Sequence, residues 1–205
     1  MERVKVVILN WNGRAYLERF LPSVVERTPG VPVVVADNGS TDDSVAFLRA
    51  RFPQVEVIAL ERNYGFAEGY NRALERIEAE YFLLLNSDIE VPEGWLSPLV
   101  EALDADGRTA AVAPKILSFD RPDRFEYAGA AGGFIDFLGY PFCRGRILSS
   151  IEADRGQYDD AREVFWASGA CMLVRSGVFR ALGGFDADFF AHMEEIDFCW
   201  RAQLA

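Results

Sequence analysis

Tyr81-Phe82-Leu83-Leu84-Leu85-Asn86-Ser87-Asp88 carries five apolar residues straight into a polar triplet. A continuous run of aromatic and branched residues does not alternate as a half-exposed strand would. It reads as a strand covered on both faces, the kind that parallel sheets bury. Asn86, Ser87 and Asp88 then stand at the carboxyl end of a central strand, where open α/β sheets bind their ligands.

Working outward, Val4 to Leu9 and Val31 to Ala36 are further apolar runs, and Val55 to Leu60 is a third. Between them Tyr16, Leu17, Phe20, Leu21, Val24 and Val25 recur at helical spacing, with Pro22 expected to kink that helix or mark its start. Ser40 and Asp43 resemble a capping box ahead of a second helix. A third helix is expected from the Asn63–Asn71 segment through Ile77. Strands alternating with helices at this spacing predict a parallel α/β sheet. The polar clusters at Asn10, Asp37, Asn63 to Asn71 and Asp88 each follow a strand, so one edge of the sheet gathers them.

Downstream, Leu96 to Leu103 reads as a helix and Ala110 to Leu117 as a strand. Residues 118–163 lose periodicity and are expected to be a lid or loop. Val164 to Val174 reads as one or two strands, Ser176 as the cap of a short helix, and the Phe189–Arg201 stretch as the opening of the last helix.

The chain has 205 residues, 50% hydrophobic and 26% charged, as expected of one globular domain with a real core. Its net charge of -11, from 32 acidic and 21 basic residues, excludes a general nucleic-acid binder, which needs a basic footprint. An anionic ligand would need a divalent cation to offset the repulsion. Three widely spaced cysteines, Cys143, Cys171 and Cys199, lack zinc-site spacing and are expected to be free thiols in a reducing compartment. No apolar run approaches the ~18 residues of a membrane span, and the first strand is too short for a signal peptide. The expected location is cytoplasmic, at or away from the inner face of the plasma membrane. Peripheral membrane association through a segment outside residues 1–205 stays open. The turn Asn10-Trp11-Asn12-Gly13 lacks the glycine pattern of a dinucleotide-binding fold, and no phosphate-loop motif occurs.

Five motifs in order resemble family 2 glycosyltransferases, inverting enzymes of the GT-A fold, and within them the rhamnosyltransferase-like branch. They are Val7-Ile8-Leu9-Asn10-Trp11-Asn12, Asp37-Asn38-Gly39-Ser40-Thr41-Asp42, Asn63-Tyr64-Gly65-Phe66-Ala67-Glu68-Gly69-Tyr70-Asn71, Asn86-Ser87-Asp88 and Glu194-Glu195-Ile196-Asp197-Phe198-Cys199-Trp200-Arg201. The resemblance spans essentially the whole chain. It implies a Rossmann-like, mostly parallel central sheet flanked by helices, with a smaller mixed region on the acceptor side. One domain is expected, with a nucleotide-binding half at 1–117 and an acceptor-side half at 118–205. The family usually has Asp where Glu195 stands, and its members continue past Ala205, so a C-terminally truncated chain is expected.

The chemistry then assigns candidates. Asp88 is the only carboxylate of its triplet and is the candidate ligand for Mg²⁺ or Mn²⁺, which would stabilise a leaving pyrophosphate. The alternative is a turn-capping Asp. Glu195 is the candidate general base, with Glu194 as close rival and Asp197 a weaker one; the alternative is favourable charge at a helix start. Asn10, Asp37, Asn38, Asn63, Gly65, Gly69, Asn71 and Ser87 are candidate nucleotide contacts. Gly65 and Gly69 would let backbone approach a phosphate near free helix amides; Asn71 binds or merely caps. Trp166, Gly169 and His192 are candidates for the acceptor side, with a core role open for Trp166 and a structural one for His192. The implied partners are a nucleotide-diphosphate sugar, carrying a deoxyhexose or hexose, and a saccharide or glycolipid acceptor of a bacterial cell surface. A non-catalytic nucleotide-sugar or glycan-binding module on a degenerate transferase fold is the alternative.

Overall fold

The computed structural model describes residues 2–127 and 129–205. Its elements are β1 (Glu2–Asn10), α1 (Arg14–Glu26), β2 (Val33–Asp37), α2 (Ser44–Arg51), β3 (Glu56–Ala59), α3 (Gly65–Leu74), β4 (Ala79–Asn86), α4 (Leu96–Ala105) and β5 (Ala111–Val112). There follow β6 (Gly133–Ile135), β7 (Pro141–Cys143), β8 (Arg146–Ile147), β9 (Ser150–Ile151), β10 (Cys171–Arg175), α5 (Ser176–Ala181), a 3₁₀ turn (Ala187–Phe189) and α6 (Glu194–Leu204).

Six strands form the main sheet in the order β3-β2-β1-β4-β10-β5. β1 to β4 pair in parallel, while β10 runs antiparallel to both β4 and β5. Tyr81 to Leu85 are all buried, and their alternation explains why. Phe82 and Leu84 feed one core, with Tyr70, Phe179, Phe185 and Phe198. Tyr81, Leu83 and Leu85 feed the other, with Leu17, Leu21, Leu99 and Leu103. In the first core Phe179 packs on Phe185 and Phe198 at ring-centroid distances of 5.2 and 5.3 Å, which ties α5 and α6 to the sheet.

Several local expectations are corrected. The Ala110–Leu117 strand shrinks to β5, since Pro114 has no amide to continue a ladder. Of the Val164–Val174 run only Cys171 to Val174 is strand, continuing to Arg175 as β10; Trp166 instead makes an isolated bridge to Gly133. Residues 118–163 contain a second, four-stranded antiparallel sheet in the order β6-β7-β8-β9. α1 begins at Arg14 and carries Pro22 inside it. The capping box does not form. Ser40 Oγ accepts from the Asn12 amide at 2.9 Å, and Asp42 Oδ1, not Ser40, accepts from Ser44 N at 3.0 Å. Ser176 is not a cap either: its hydroxyl donates to Ala79 O at 2.7 Å.

Candidate functional site at the carboxyl ends of the strands

The loops after β1 and β2 are locked together by side chains. Asn10 Nδ2 donates to Asp37 Oδ2 at 3.0 Å, and the Ser40 amide donates to Asp37 Oδ1 at 2.9 Å. Asn12, in the left-handed region at φ 49°, accepts from the Thr41 amide at 2.8 Å. Asn10 and Asp37 are 1% and 2% exposed. Asn10 Oδ1 is buried with no partner among the described residues. An orphaned acceptor beside a buried carboxylate is a costly arrangement for a turn and a useful one for a ligand that brings a donor.

Asn38 and Asn63 hold the next loop. Asn38 donates to Asn63 Oδ1 at 3.0 Å and to Gly65 O at 2.8 Å, and accepts from the Tyr64 amide at 3.0 Å. Asn38 Nδ2 thus spends both hydrogens on protein acceptors. A Cβ at Gly69 would lie 2.9 Å from Asn38 Nδ2 and 3.1 Å from Leu9, so that glycine serves close helix–strand packing. Asn71 is likewise engaged, donating to Phe185 O at 2.8 Å and accepting from its amide at 2.9 Å.

The amides at the start of α3 are taken. Phe66 N and Ala67 N donate to Phe190 O at 2.6 and 3.2 Å. The expected free amides for a phosphate are therefore capped by backbone from the far end of the chain. Gly65 makes this possible: its φ is +81°, and a Cβ would meet the Phe190 ring and carbonyl at 2.6 Å. Gly65→Ala should cost about 1–3 kcal/mol from backbone strain alone, read as a Tm several degrees lower in a thermal melt.

Phe190 opens a strained loop. Phe190, His192 and Met193 have φ of 57°, 75° and 76°, and strain at non-glycine residues gathers at functional sites. The loop delivers Glu194 and Glu195 to the first turn of α6. Glu194 is 4% exposed, its Oε2 lacks a partner, and burial pushes its carboxyl up to about 7, the Glu195 charge adding to the rise. Glu195 is half-buried. Its carboxyl is also raised, by burial first, with its own amide, the His192 charge and the Gly169 amide pulling the other way. Its Cβ lies 3.7 Å from a Cβ built on Gly169, against Phe66.

The acceptor-side candidates part company. Gly169 borders Glu195, and His192 is exposed on the loop. Trp166 is core: 4% exposed, with its Nε1 donating to Phe134 O at 3.1 Å. One backbone bond, from Asn86 N to Ala170 O at 2.9 Å, sets the end of β4 beside the segment that carries Gly169. Ser87 is half-buried near Gly13, and Asp88 is exposed, with no hydrogen bond or ion pair among the described residues. No cluster of three or more His, Cys, Asp or Glu among them is arranged to hold a metal ion. A lone, unpaired carboxylate nevertheless fits a hard cation that takes one protein ligand and fills its shell with phosphate and water.

Trp11 was not singled out by sequence reasoning. It is 55% exposed directly after Asn10, and its only signal was a large aromatic inside a turn.

Residues 5–183 match the family described as Glycosyl transferase family 2. The chain is 29% identical over 211 residues to the N-acetylglucosaminyl-diphospho-decaprenol L-rhamnosyltransferase of Mycobacterium tuberculosis, covering 94% of this chain and 67% of that protein. Its fold is similar to that of S. aureus TarS 1-349, with TM-score 0.68 at 17% identity over 98% of this chain and 55% of that one. It is also similar to the mannosyltransferase PcManGT from Pyrobaculum calidifontis, solved with GDP-Man and Mn²⁺, with TM-score 0.65 at 19% identity over 96% and 50%. The chain therefore spans about half the length of these solved structures, and its fold is GT-A.

Proposed function

This chain belongs to glycosyl transferase family 2, and from that premise we propose that it moves a deoxyhexose or hexose, with inversion, from a nucleotide-diphosphate donor to a saccharide or glycolipid acceptor. The observation that most supports this is the pair of raised carboxyls, Glu194 and Glu195, held beside the carboxyl end of β4 by the Gly169–Ala170 segment. Inverting transfer needs one base for an attacking hydroxyl and stabilisation of a leaving pyrophosphate.

Glu195 is the base. It is partly open, the Gly169 amide orients its carboxylate, and burial raises its proton affinity toward the working range of a general base. Glu194 lies behind it, too enclosed to meet an acceptor hydroxyl. Asn10 and Asp37 receive donor groups of the nucleotide, and the exposed Trp11 offers a stacking face for the base. Ser87 and the Asn63 loop line the same cleft, and Gly169 and His192 border the acceptor. Asp88 would hold Mg²⁺ or Mn²⁺. The bound ion would supply Lewis-acid stabilisation of the departing diphosphate. The rhamnosyltransferase relative supports a polyprenyl-diphosphate-linked acceptor.

A thermal-shift screen of uridine, thymidine and guanosine diphosphate sugars with and without Mn²⁺ tests this. One nucleotide class should raise Tm, and at a hundredfold excess over Kd the stabilisation is about 2.7 kcal/mol. No shift with any nucleotide would remove the donor assignment. Asp88→Ala should abolish the Mn²⁺-dependent part of that shift and leave the metal-free part intact. An unchanged metal response would free Asp88 of its role.

A further inference from the structure

The second sheet carries apolar surface for which the transfer reading has no use. β6 to β9 form a meander in which Ile135 pairs with Pro141 and Ile147 with Ser150. The turns at 136–140 and 148–149 therefore lie at the same end. Phe137, Leu138, Tyr140, Ile147 and Leu148 stand there, 94%, 67%, 68%, 60% and 80% exposed. The first turn is braced: Asp136 Oδ1 accepts from the Leu138 and Tyr140 amides, both at 2.9 Å. The apolar side chains are thus presented by a held turn. Large apolar residues grouped in water mark a surface that something else covers.

Charge selects the occupant. The chain carries a net -11, yet residues 133–151 contain two arginines and one aspartate; Arg144 is paired with Asp160 at 2.9 Å at the opposite turn, and Arg146 is the cation at the tips. Arg146 donates to Leu148 O at 3.1 Å, right at the tips, and lies over the Tyr127 ring at 4.2 Å. Aromatic and branched side chains on protruding turns, with an arginine behind them, match the interfacial zone of a bilayer better than a flat or concave protein partner.

We propose that the paired hairpin tips of the second sheet insert into a lipid bilayer with anionic headgroups. The inner end of the same sheet bears Gly133, bridged to Trp166, and Cys143. The Gly133 amide donates to Trp166 O at 3.2 Å, three residues ahead of the Gly169 that borders Glu195, so that end of the sheet is tied to the segment beside the candidate base. Docking by the tips would bring the acceptor side to the membrane surface. The proposal goes beyond the transfer reading and holds whether or not that reading does, because its test involves no sugar.

The purified chain is mixed with vesicles of phosphatidylglycerol and phosphatidylethanolamine, or of phosphatidylcholine alone, and sedimented. It should partition onto the anionic vesicles, less so as salt rises. Phe137→Ser with Leu138→Ser should weaken partitioning about tenfold or more, and Tyr16→Ser on α1 should leave it unchanged. If the double variant melts early, Phe137→Trp replaces it, with added quenching by brominated lipids expected over wild type. No partitioning, a double variant of native stability that partitions equally, or no added quenching overturns the proposal. So does a lipid-free dimer that the double variant turns into a monomer, since the tips would then meet a second copy.

Discussion

Glu195→Gln lowers kcat by about 10²–10⁴-fold, the usual worth of a positioned general base, while donor affinity stays within about twofold. Glutamine keeps the shape against Phe66 and Gly169 but cannot accept a proton. On the proposed reading the nucleotide is held at the other strand ends and should not sense the change. Such a drop in kcat and kcat/KM together marks an interaction used only in the transition state. Glu195→Asp draws the carboxylate back by one methylene, and a displacement of that order costs up to about 10²-fold. An intermediate rate is therefore expected, although aspartate is the residue the resemblance leads one to expect at this position. Stopped assays of sugar transfer, with donor Kd measured by calorimetry, decide it. If Glu195→Gln retains turnover within about tenfold and Glu194→Gln loses it, the base is Glu194.

The core was legible wherever a residue pattern reflects burial. Tyr81 to Leu85 has no polar position, so two covered faces were the only economical reading, and the four parallel strands follow from similar runs. The meander was not legible because its strands are two or three residues long and interrupted by Gly, Pro and Arg, which leaves no period to count. Ser40 and Asp43 had the spacing of a cap, but Ser40 Oγ is drawn to Asn10 and Asn12 across the loops, a competition no local motif records. The cap on α3 was hidden for a deeper reason. Its acceptor is the Phe190 carbonyl, and a backbone oxygen has no signature in the sequence. The adjacent glutamates were visible as candidates. What separates them is that Glu194 is enclosed and Glu195 is open to Gly169, and that depends on a strained loop whose left-handed residues are not glycines.

The same separation sets a second large effect, on stability. The Glu194 carboxyl titrates near 7 in the folded chain against 4.5 for the free group. Between those values the native state holds a proton that the unfolded chain has released. The contribution of this one group is therefore fully present below pH 4.5, is lost as pH rises through 7, and stays lost above it. The difference of 2.5 pH units (7 − 4.5) sets a ceiling of about 3 kcal/mol at about 1.36 kcal/mol per unit. Glu194→Gln removes that dependence. It keeps the volume but leaves an amide where Oε2 already lacks a partner, at a cost of about 1 kcal/mol. At pH 8 the variant should be about 2 kcal/mol more stable than wild type, or about 4–8 °C in Tm for a chain of this size. At pH 5 it should be level or slightly less stable. Melts of both proteins across this range check it, and an equal difference at both ends would mean that Glu194 does not titrate in the window. A buried carboxylate at this position lowers the stability of its own fold at neutral pH, so Glu194→Gln belongs to the substitutions that stabilise without touching the proposed base.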